Sequence, residues 1–473
     1  MGEDGGLGAF LPHRNPPAAG RRPEHAALDH APMKVPASES AAGIGAAPGP
    51  SAPPTMPADA AAAGVRPRRG WTRVVPDPLR VPAFRRFWLG LWPLLLGKWM
   101  QLVALGYLTF SLTHSVPAVG LVGAADGLPA LVLGLPAGVL ADRASRRHVL
   151  MATTTAMAAT AFGLTAAVVT GHAGLLVLVL AAAAFGSADA VDVPSRQALV
   201  ADLVREEQLL GTAALTSTAS SATRIVGPSL AGILIGFVGP AACFGAMGAL
   251  ALPFLAVVVL GLRGVPRTTR PADGHTALQD LGEGLRWAAR DPRTRWILIA
   301  MGALAILGVG YMPYLPVLAR DQLHGGGQLL GLLYTMGGIG ALAGGIAITG
   351  LSRRLPRGRL LIGAAPLYTA ALVTVTRATT AQVAFPALMG VSLAFVALNT
   401  ASLSALQSET PARLRGRVLA CYSLIWGVTP FGTLLYALLS RVVPLFDAIA
   451  GGAVAAGLVL LVAGTRPAVR SLR

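Results

Sequence analysis

Ionisable side chains lie inside long apolar stretches of this 473-residue chain. They are Lys98, Asp126, Asp189, Asp192, Arg196 and Arg224. A charge that faces hydrocarbon costs at least about 2.5–3.5 kcal/mol, so these groups must face the interior and pair. A buried carboxylate beside a cation can exchange a proton near neutral pH, because burial favours the neutral acid and the cation favours the ion. A proton or ligand role and static ion pairs between helices are both open interpretations.

Depth along the apolar stretches ranks these candidates. Lys98 lies about 18 Å along its predicted helix from the nearest interface anchor, and Arg224 lies roughly 20 Å into its own. Asp126 is also near mid-membrane and within reach of the flexible lysine stem, so we expect it to be the leading proton carrier, modulated by Lys98 or Arg224. Asp189 is second, because Arg196 two turns away offers it a fixed partner. Arg196 is also predicted to pair with Asp192, four residues before it.

Twelve apolar stretches must position these groups, and each is long enough for a helix across a hydrocarbon core of about 30 Å. They cover 87–112, 116–141, 148–170, 174–199, 209–238, 240–262, 295–318, 328–350, 359–376, 381–406, 415–440 and 443–464. Hydrophobic residues make up 54% of the chain and charged residues 12%, which is typical of a membrane protein. The short alternating segments of a β-barrel are absent. The predicted fold class is therefore all-α integral membrane, with twelve transmembrane helices in two six-helix halves.

The longest polar connection divides the chain. The predicted parts are a disordered N-terminal tail (1–80), an N-terminal six-helix bundle (81–262), a cytoplasmic linker (263–294), a C-terminal six-helix bundle (295–464) and a C-terminal tail (465–473). In the linker, Leu278, Leu281, Leu285 and Ala288 recur opposite Gln279, Glu283, Arg286 and Arg290. This spacing predicts an amphipathic helix on the inner membrane face. Pro313, Pro316 and Pro430 are predicted to mark kinks in their spans.

Basic residues predict the orientation of the spans. Arginines crowd the loops on one side, whereas the opposite loops carry only Arg320, Arg377 and Arg441. By the positive-inside rule, both termini are cytoplasmic and the protein is a multi-pass component of the inner or plasma membrane.

A short charged hinge joins the second and third stretches and reads Gly-Val-Leu-Ala-Asp-Arg-Ala-Ser-Arg-Arg. Orientation alone would explain its arginines, but it would not explain Asp142, because acids contribute little to topology. We expect Asp142 to accept hydrogen bonds from Arg415 or Arg417 and so to latch the halves shut on the cytoplasmic side. The predicted gating residues are Gly138, Asp142, Arg143, Arg146, Arg147, Arg415 and Arg417.

With this hinge, the chain resembles the major facilitator superfamily of secondary transporters across about residues 84–440. Further matching segments are Phe84–Gly90, Thr113–Ser115, Pro194–Leu199, Arg224–Gly232, Gly331–Gly345 and Arg415–Val418. The chain is most similar to the branch of macrolide-efflux and enterobactin-exporter-like proteins. The resemblance implies proton-coupled export of a hydrophobic or amphiphilic small molecule, such as an antibiotic, a siderophore or another secondary metabolite. The substrate site would lie at the midplane between the halves, which rock by alternating access.

The fifth stretch resembles the antiporter motif of drug exporters through Gly227, Pro228 and Gly232. Thr223 and Ala231 stand where that motif has glycine, but small residues still permit close packing. A packing kink without bearing on direction explains the segment equally well. Metabolite uptake or facilitated diffusion therefore remains an alternative, as does a sensor or scaffold of the same fold that moves no substrate.

Other functional classes lack their signatures. The chain has neither a phosphate-binding loop nor a His-Glu-x-x-His zinc motif, so we expect a protein that is not an enzyme and holds no cofactor or metal. The net charge of +17 is scattered without interleaved aromatic residues, which argues against nucleic acid as a partner. The expected partners are a small-molecule substrate, protons and the lipid bilayer, and we expect a functional monomer.

Overall fold

The computed structural model describes part of the chain. It covers residues 77–262, 277–351 and 356–470, and leaves the side chains of Leu135, 137–143, Leu210, 277–281 and Ala412 undescribed. The predicted tail (1–80) therefore lies almost wholly outside the described residues, as does much of the predicted linker.

Within the described ranges the chain folds into helices and contains no strand. The first half contains α1 (Pro82–Thr113), α2 (Val116–Arg143), α3 (Arg146–Val169), α4 (Leu175–Leu203), α5 (Leu209–Phe237) and α6 (Pro240–Gly261). After the linker helix α7 (Ala277–Arg290), the second half contains α8 (Pro292–Gln322), α9 (Gly327–Leu351), α10 (Arg357–Arg377), α11 (Ala381–Glu409), α12 (Ala412–Gly427), α13 (Thr429–Leu439) and α14 (Leu445–Thr465). Because α12 and α13 form one interrupted span, the described helices make the predicted two halves of six spans.

Composition explains why these segments are membrane helices. Eleven spans in the described ranges are long and apolar enough to cross a membrane. The exception is α5, whose 29 residues suffice in length but whose first half is rich in serine and threonine and whose centre carries Arg224. α5 and α6 are joined tightly through Gly239, whose φ of 107° favours glycine, and Pro240 then begins α6.

The helices of each half pack on one another, and other helix pairs join the two halves. In the first half α1 packs on α5 and α6, while α4 packs on α2 and α3. In the second half α11 packs on α9 and α10, and α10 also packs on α14. The main contacts between the halves are α5 with α9 and α2 with α13.

Two spans are irregular where prolines were expected to bend them. The first regular helix of α8 ends at Ala303, and it is followed by a π turn, a 3-10 turn that contains Pro313, a short α turn that contains Pro316, and a second π turn. The break between α12 and α13 falls at Val428, two residues before Pro430. Proline lacks the amide proton and crowds the preceding turn, so Pro430 accounts for the break between α12 and α13. The irregular part of α8 begins nine residues before Pro313, and the predicted kinks stay a prediction.

The linker helix α7 forms as expected, and its polar face also contacts the second half. Glu283, on that face, pairs with Arg417 of α12. Gly284 lies so close to α12 that an added Cβ would come within 2.6 Å of the carbonyl oxygen of Arg417. Leu285 remains 55% exposed, as an apolar side chain in contact with lipid would be. The hydrophobic pattern alone did not reveal this docking, because it identifies an apolar face but no protein neighbour.

Candidate functional site

Three of the ionisable residues singled out from the sequence come together. Lys98 of α1 forms an ion pair with Asp189 of α4, and Asp126 of α2 lies close enough to interact electrostatically with both. α4 can approach α2 this closely because Gly186 has no side chain, and the carbonyl oxygen of Asp126 occupies the space that a Cβ would need. The cluster therefore holds two acids and one cation.

The partners of these charges differ from the expected ones. Lys98 was expected to reach Asp126, and Arg196 was expected to hold Asp189, but the direct ion pair joins Lys98 to Asp189. Arg196 instead pairs with Asp192 at 2.6 Å, as its spacing of four residues also predicted. Asp192 is fully buried, so this second pair ties down one turn of α4.

Arg224 lies outside the acid cluster. Its guanidinium carbon is 4.9 Å from the ring centre of Trp99 on α1, which is within the range of a cation–π contact. No described contact between Arg224 and Asp126 supports the expected modulation. The described contact of Arg224 joins α5 to α1.

A large cavity connects the acid cluster to one end of the helix bundle. Its volume is about 1490 Å³. Its main walls come from α1, α2, α4, α5 and α12, with single contributions from α3 and α6. Lys98, Asp126 and Asp189 line its deep part, while Ala201, near the end of α4, and Arg413, in the first turn of α12, line its mouth. The cavity thus lies between helices of both halves, at the place where a transporter binds its substrate.

A hydroxyl-bearing wall of this cavity was missed by the sequence analysis. Thr212, Thr216, Ser217 and Ser220 of α5 line the cavity. Their spacing puts them on one face of the helix. The signal was available, because a polar stripe in a membrane span must face either protein or water. Gln101 of α1 is a second missed lining residue.

The opposite end of the bundle is closed by glycines that bring α2 against the second half. Gly120 faces Ala437, Gly123 would place a Cβ 3.2 Å from Pro313, and Gly127 lies against Pro430. Side chains of α8 and α13 fill the space beside these glycines, so the cavity has no passage along this contact.

A second close crossing joins α5 to α9, on residues expected from the sequence to pack. A Cβ on Gly232 would come within 2.7 Å of the Cα atom of Gly331, and one on Gly331 would come within 2.8 Å of the carbonyl oxygen of Pro228. Gly227 packs instead on the side chain of Trp99 in α1. The segment thus joins the first half to the second while it also packs within its own half.

The hinge between α2 and α3 holds the first half together through its arginines. Arg146 pairs with Asp202 of α4 and donates to the carbonyl of Ala198 at 3.1 Å. Arg147 donates to two carbonyl oxygens of α6, those of Val258 at 2.9 Å and Val259 at 2.6 Å. The two arginines therefore connect the start of α3 to α4 and to α6.

The structure describes the side chains of only some of the remaining residues of the predicted gate. The side chains of Asp142 and Arg143 and the surroundings of Gly138 are not described, so the contact of Asp142 across the halves stays a prediction. Arg415 is exposed at the start of α12, and Arg417 pairs with Glu283 of the linker helix. Among the described residues, no group of three His, Cys, Asp or Glu side chains is placed to hold a metal ion.

This fold and cavity define a membrane transporter of the major facilitator type. Residues 75–472 match the family model described as transmembrane secretion effector, and the chain belongs to this family. It is 22% identical over 366 residues to the staphyloferrin A transporter of Staphylococcus aureus (strain NCTC 8325 / PS 47), a match that covers 74% of this chain and 87% of that one.

Solved transporters show the same fold at low sequence identity. A bacterial homologue of the human lysosomal transporter Spinster, in an inward-facing and unoccupied conformation, is 16% identical with a TM-score of 0.60, and the match covers 83% of this chain and 98% of that one. The nucleoside transporter NupG is 12% identical with a TM-score of 0.64, over 80% of this chain and 98% of its own. A bacterial homologue of the iron transporter ferroportin, in an inward-facing state, is 15% identical with a TM-score of 0.62, over 82% and 99%.

Proposed function

We propose that the protein is a proton-coupled exporter that moves an amphiphilic small molecule out of the cell by alternating access. The observation that best supports this is the cavity between the two halves, which opens at one end and has a Lys98–Asp126–Asp189 cluster in its deep wall. A carrier needs a substrate space that faces one side at a time, and a proton-driven carrier also needs an acid in that space.

Export requires that the open end face the cytoplasm. The mouth is bordered by the end of α4, the start of α5 and the arginine-bearing start of α12, on the side that the positive-inside rule assigns to the cytoplasm. A substrate would thus load from inside the cell. The description of the family as secretion effectors agrees with this direction.

Proton coupling follows from the charge balance of the cluster. Lys98 neutralises Asp189, so the second acid, Asp126, has no ion-pair partner among the described residues. When Asp126 binds a proton, this uncompensated charge disappears. When Asp126 loses the proton, two carboxylates compete for Lys98. Because Asp126 is on α2 and its neighbours are on α1 and α4, the proton changes the forces between three helices of the first half.

The test uses the full chain in sealed vesicles, with rhodamine 123 and fluorescein as amphiphilic probes. A gradient of a transported dye should drive proton movement, and Asp126→Asn should abolish that movement while dye binding is retained. Asp321→Asn, an exposed acid at the opposite end of the bundle, is the matched control and should leave the movement intact. If Asp126→Asn exchanges protons at the rate of the unmodified protein, the coupling role passes to Asp189 and the same assay applies there.

The same experiment separates the alternative functions. A facilitated-diffusion carrier would move dye at equal rates with and without Asp126 and would move no protons. Uptake would place dye accumulation on the other side of the membrane for the same proton gradient. A sensor or scaffold would bind dye without moving it.

A further inference from the structure

We infer that the transported molecule is an amphiphilic anion with hydrogen-bonding groups, and not a lipophilic cation. This rests on the proposed function and narrows its substrate class. It assigns the anionic group to the outer part of the cavity, between α4, α5 and α12.

Among the described residues, the charged side chains that line the outer cavity are arginines. Arg196, Arg413 and Arg417 line this region. The acids that pair with two of them, Asp192 and Glu283, are not part of the described lining. Asp192 is fully buried and Glu283 belongs to the linker helix, so the guanidinium groups are the charges nearest to a ligand in this region and favour an anion there.

Of these arginines, Arg413 is the best placed to bind an anionic ligand. It is exposed in the first turn of α12, and no ion pair is found for it in the described part of the chain. A positive charge at a helix N-terminus is disfavoured by the helix dipole, so Arg413 does not serve the stability of α12. Together, that dipole and the arginine favour an anion at the mouth.

Neutral hydrogen-bonding groups complete the outer and deep walls. Ser217 and Ser220 on α5 are exposed to the cavity, and their hydroxyl groups donate no hydrogen bond within the described residues. Gln101 is only 6% exposed, and its side-chain nitrogen has no partner within the described chain. A buried amide donor that is left unsatisfied is costly, so a ligand acceptor that reached it would remove that cost.

The apolar wall explains why the ligand must be amphiphilic. Val193 of α4, which is 37% exposed, and the partly exposed Val200 of the same helix and Leu424 of α12 line the cavity and give it apolar surface. The volume of about 1490 Å³ exceeds the roughly 300–1,000 Å³ of common small-molecule pockets. A ligand of several rings or a long polar chain fits this space.

An anionic group at the mouth can coexist with the acids at depth. Arg196 lies seven residues beyond Asp189 on the same helix, a rise of about 10 Å. That separation is about one Debye length at physiological ionic strength, so repulsion through the water-filled cavity is largely screened. Ligand and proton therefore act at different depths and are coupled through movement of the helices.

The test compares two dyes of one ring system and opposite charge. Fluorescein is anionic near neutral pH, and rhodamine 123 is a cation on the same xanthene skeleton. Binding to the full chain in nanodiscs of uncharged lipid is measured by fluorescence anisotropy. Fluorescein should bind at least about tenfold more tightly than rhodamine 123, and Arg413→Gln should weaken fluorescein by roughly tenfold, as expected for loss of a charged hydrogen bond. Ser217→Ala combined with Ser220→Ala should weaken it further.

The matched control is Arg320→Gln, which removes an exposed arginine at the closed end of the bundle and should leave both affinities unchanged. Tighter binding of rhodamine 123 would overturn the inference, as would equal binding of the two dyes, no binding of either, or an effect of Arg320→Gln equal to that of Arg413→Gln. Proton movement measured with the same dyes separates the two proposals. Exchange driven by rhodamine 123 alone would preserve the exporter and remove the anionic substrate class.

Discussion

At the scale of single residues, the ion pair between Lys98 and Asp189 decides how the cavity is charged. Its side chains are partly exposed, 20% for Lys98 and 41% for Asp189, so water in the cavity weakens the pair relative to a fully buried one. Removing one partner still leaves the other charge facing Asp126. The pair thus contributes to stability and also sets the net charge beside Asp126.

Lys98→Gln should therefore destabilise the protein by about 1–2 kcal/mol, between the values for exposed and buried pairs. Without Lys98, the two acids repel each other. Adding Asp189→Asn to Lys98→Gln should recover most of this loss, and Asp189→Asn alone should cost less than Lys98→Gln. Thermal unfolding of all four proteins in one detergent gives the double-mutant cycle. Strictly additive losses would show that the two side chains do not interact.

The sequence identified the residues of this cluster but not their pairing. A charge within an apolar stretch is conspicuous in any membrane protein, which is why Lys98, Asp126 and Asp189 were found. Which acid the lysine meets depends on how α1 and α4 rotate against α2, and that is set by contacts such as Gly186 on Asp126. The hydroxyl wall of α5 was missed for a related reason, because serine is unremarkable until its face is known to line a cavity.

At the scale of whole helices, close crossings between α5 and α9 hold the halves together at the closed end. Gly331→Leu should disrupt this crossing, because the new side chain meets the backbone of α5 at Gly232 and Pro228. Overpacking of this kind costs about 1–3 kcal/mol or more. The expected result is a lower thermal midpoint and a leak between the halves, measured as uncoupled proton flux in vesicles.

Gly345→Leu is the matched control, on the same helix. A side chain added there meets no atom within 4 Å, so the unfolding midpoint should stay close to that of the unmodified protein or rise slightly, since glycine is a poor helix former. Equal effects of the two substitutions would mean that the crossing is not a tight contact. Helix positions were predictable within a few residues from hydropathy, whereas such crossings require knowledge of which helices are neighbours.

At the scale of the molecule, Arg417 joins the linker helix to the gate. In the described structure it pairs with Glu283, and it is one of the two arginines, with Arg415, that the sequence predicts to meet Asp142 when the mouth closes. The two acids would then compete for one guanidinium. Glu283→Gln should favour the closed mouth and Asp142→Asn the open one, each by about two- to tenfold in population, as expected for a pair near the surface. Asp142→Asn should also cut transport while leaving membrane expression near normal.

Spin labels on Ala201 and Gly416 would measure this exchange. Both residues line the mouth, and a side chain on Gly416 meets no atom within 4 Å. The two native cysteines, Cys243 and Cys421, are buried and would be replaced by serine in every sample. The two gate variants should shift the distance distribution in opposite directions. A shift in the same direction for both would rule out competition for Arg417.

The orientation of the whole molecule determines whether the open cavity faces the cytoplasm. Twelve spans put both termini on one side, and the arginine-rich loops predict that this side is cytoplasmic. A reporter fused after Arg473 should therefore be cytoplasmic, while one inserted at Gly326, between α8 and α9, should be external. Gly326 suits this insertion, because it lies outside both helices and no atom lies within 4 Å of an added side chain. A second insertion after His172, in the turn between α3 and α4, should report the same side as Gly326. If the Gly326 and Arg473 reporters lie on one side, the span count is wrong. If all three reporters are reversed, the cavity opens outwards and the direction of transport must be reconsidered.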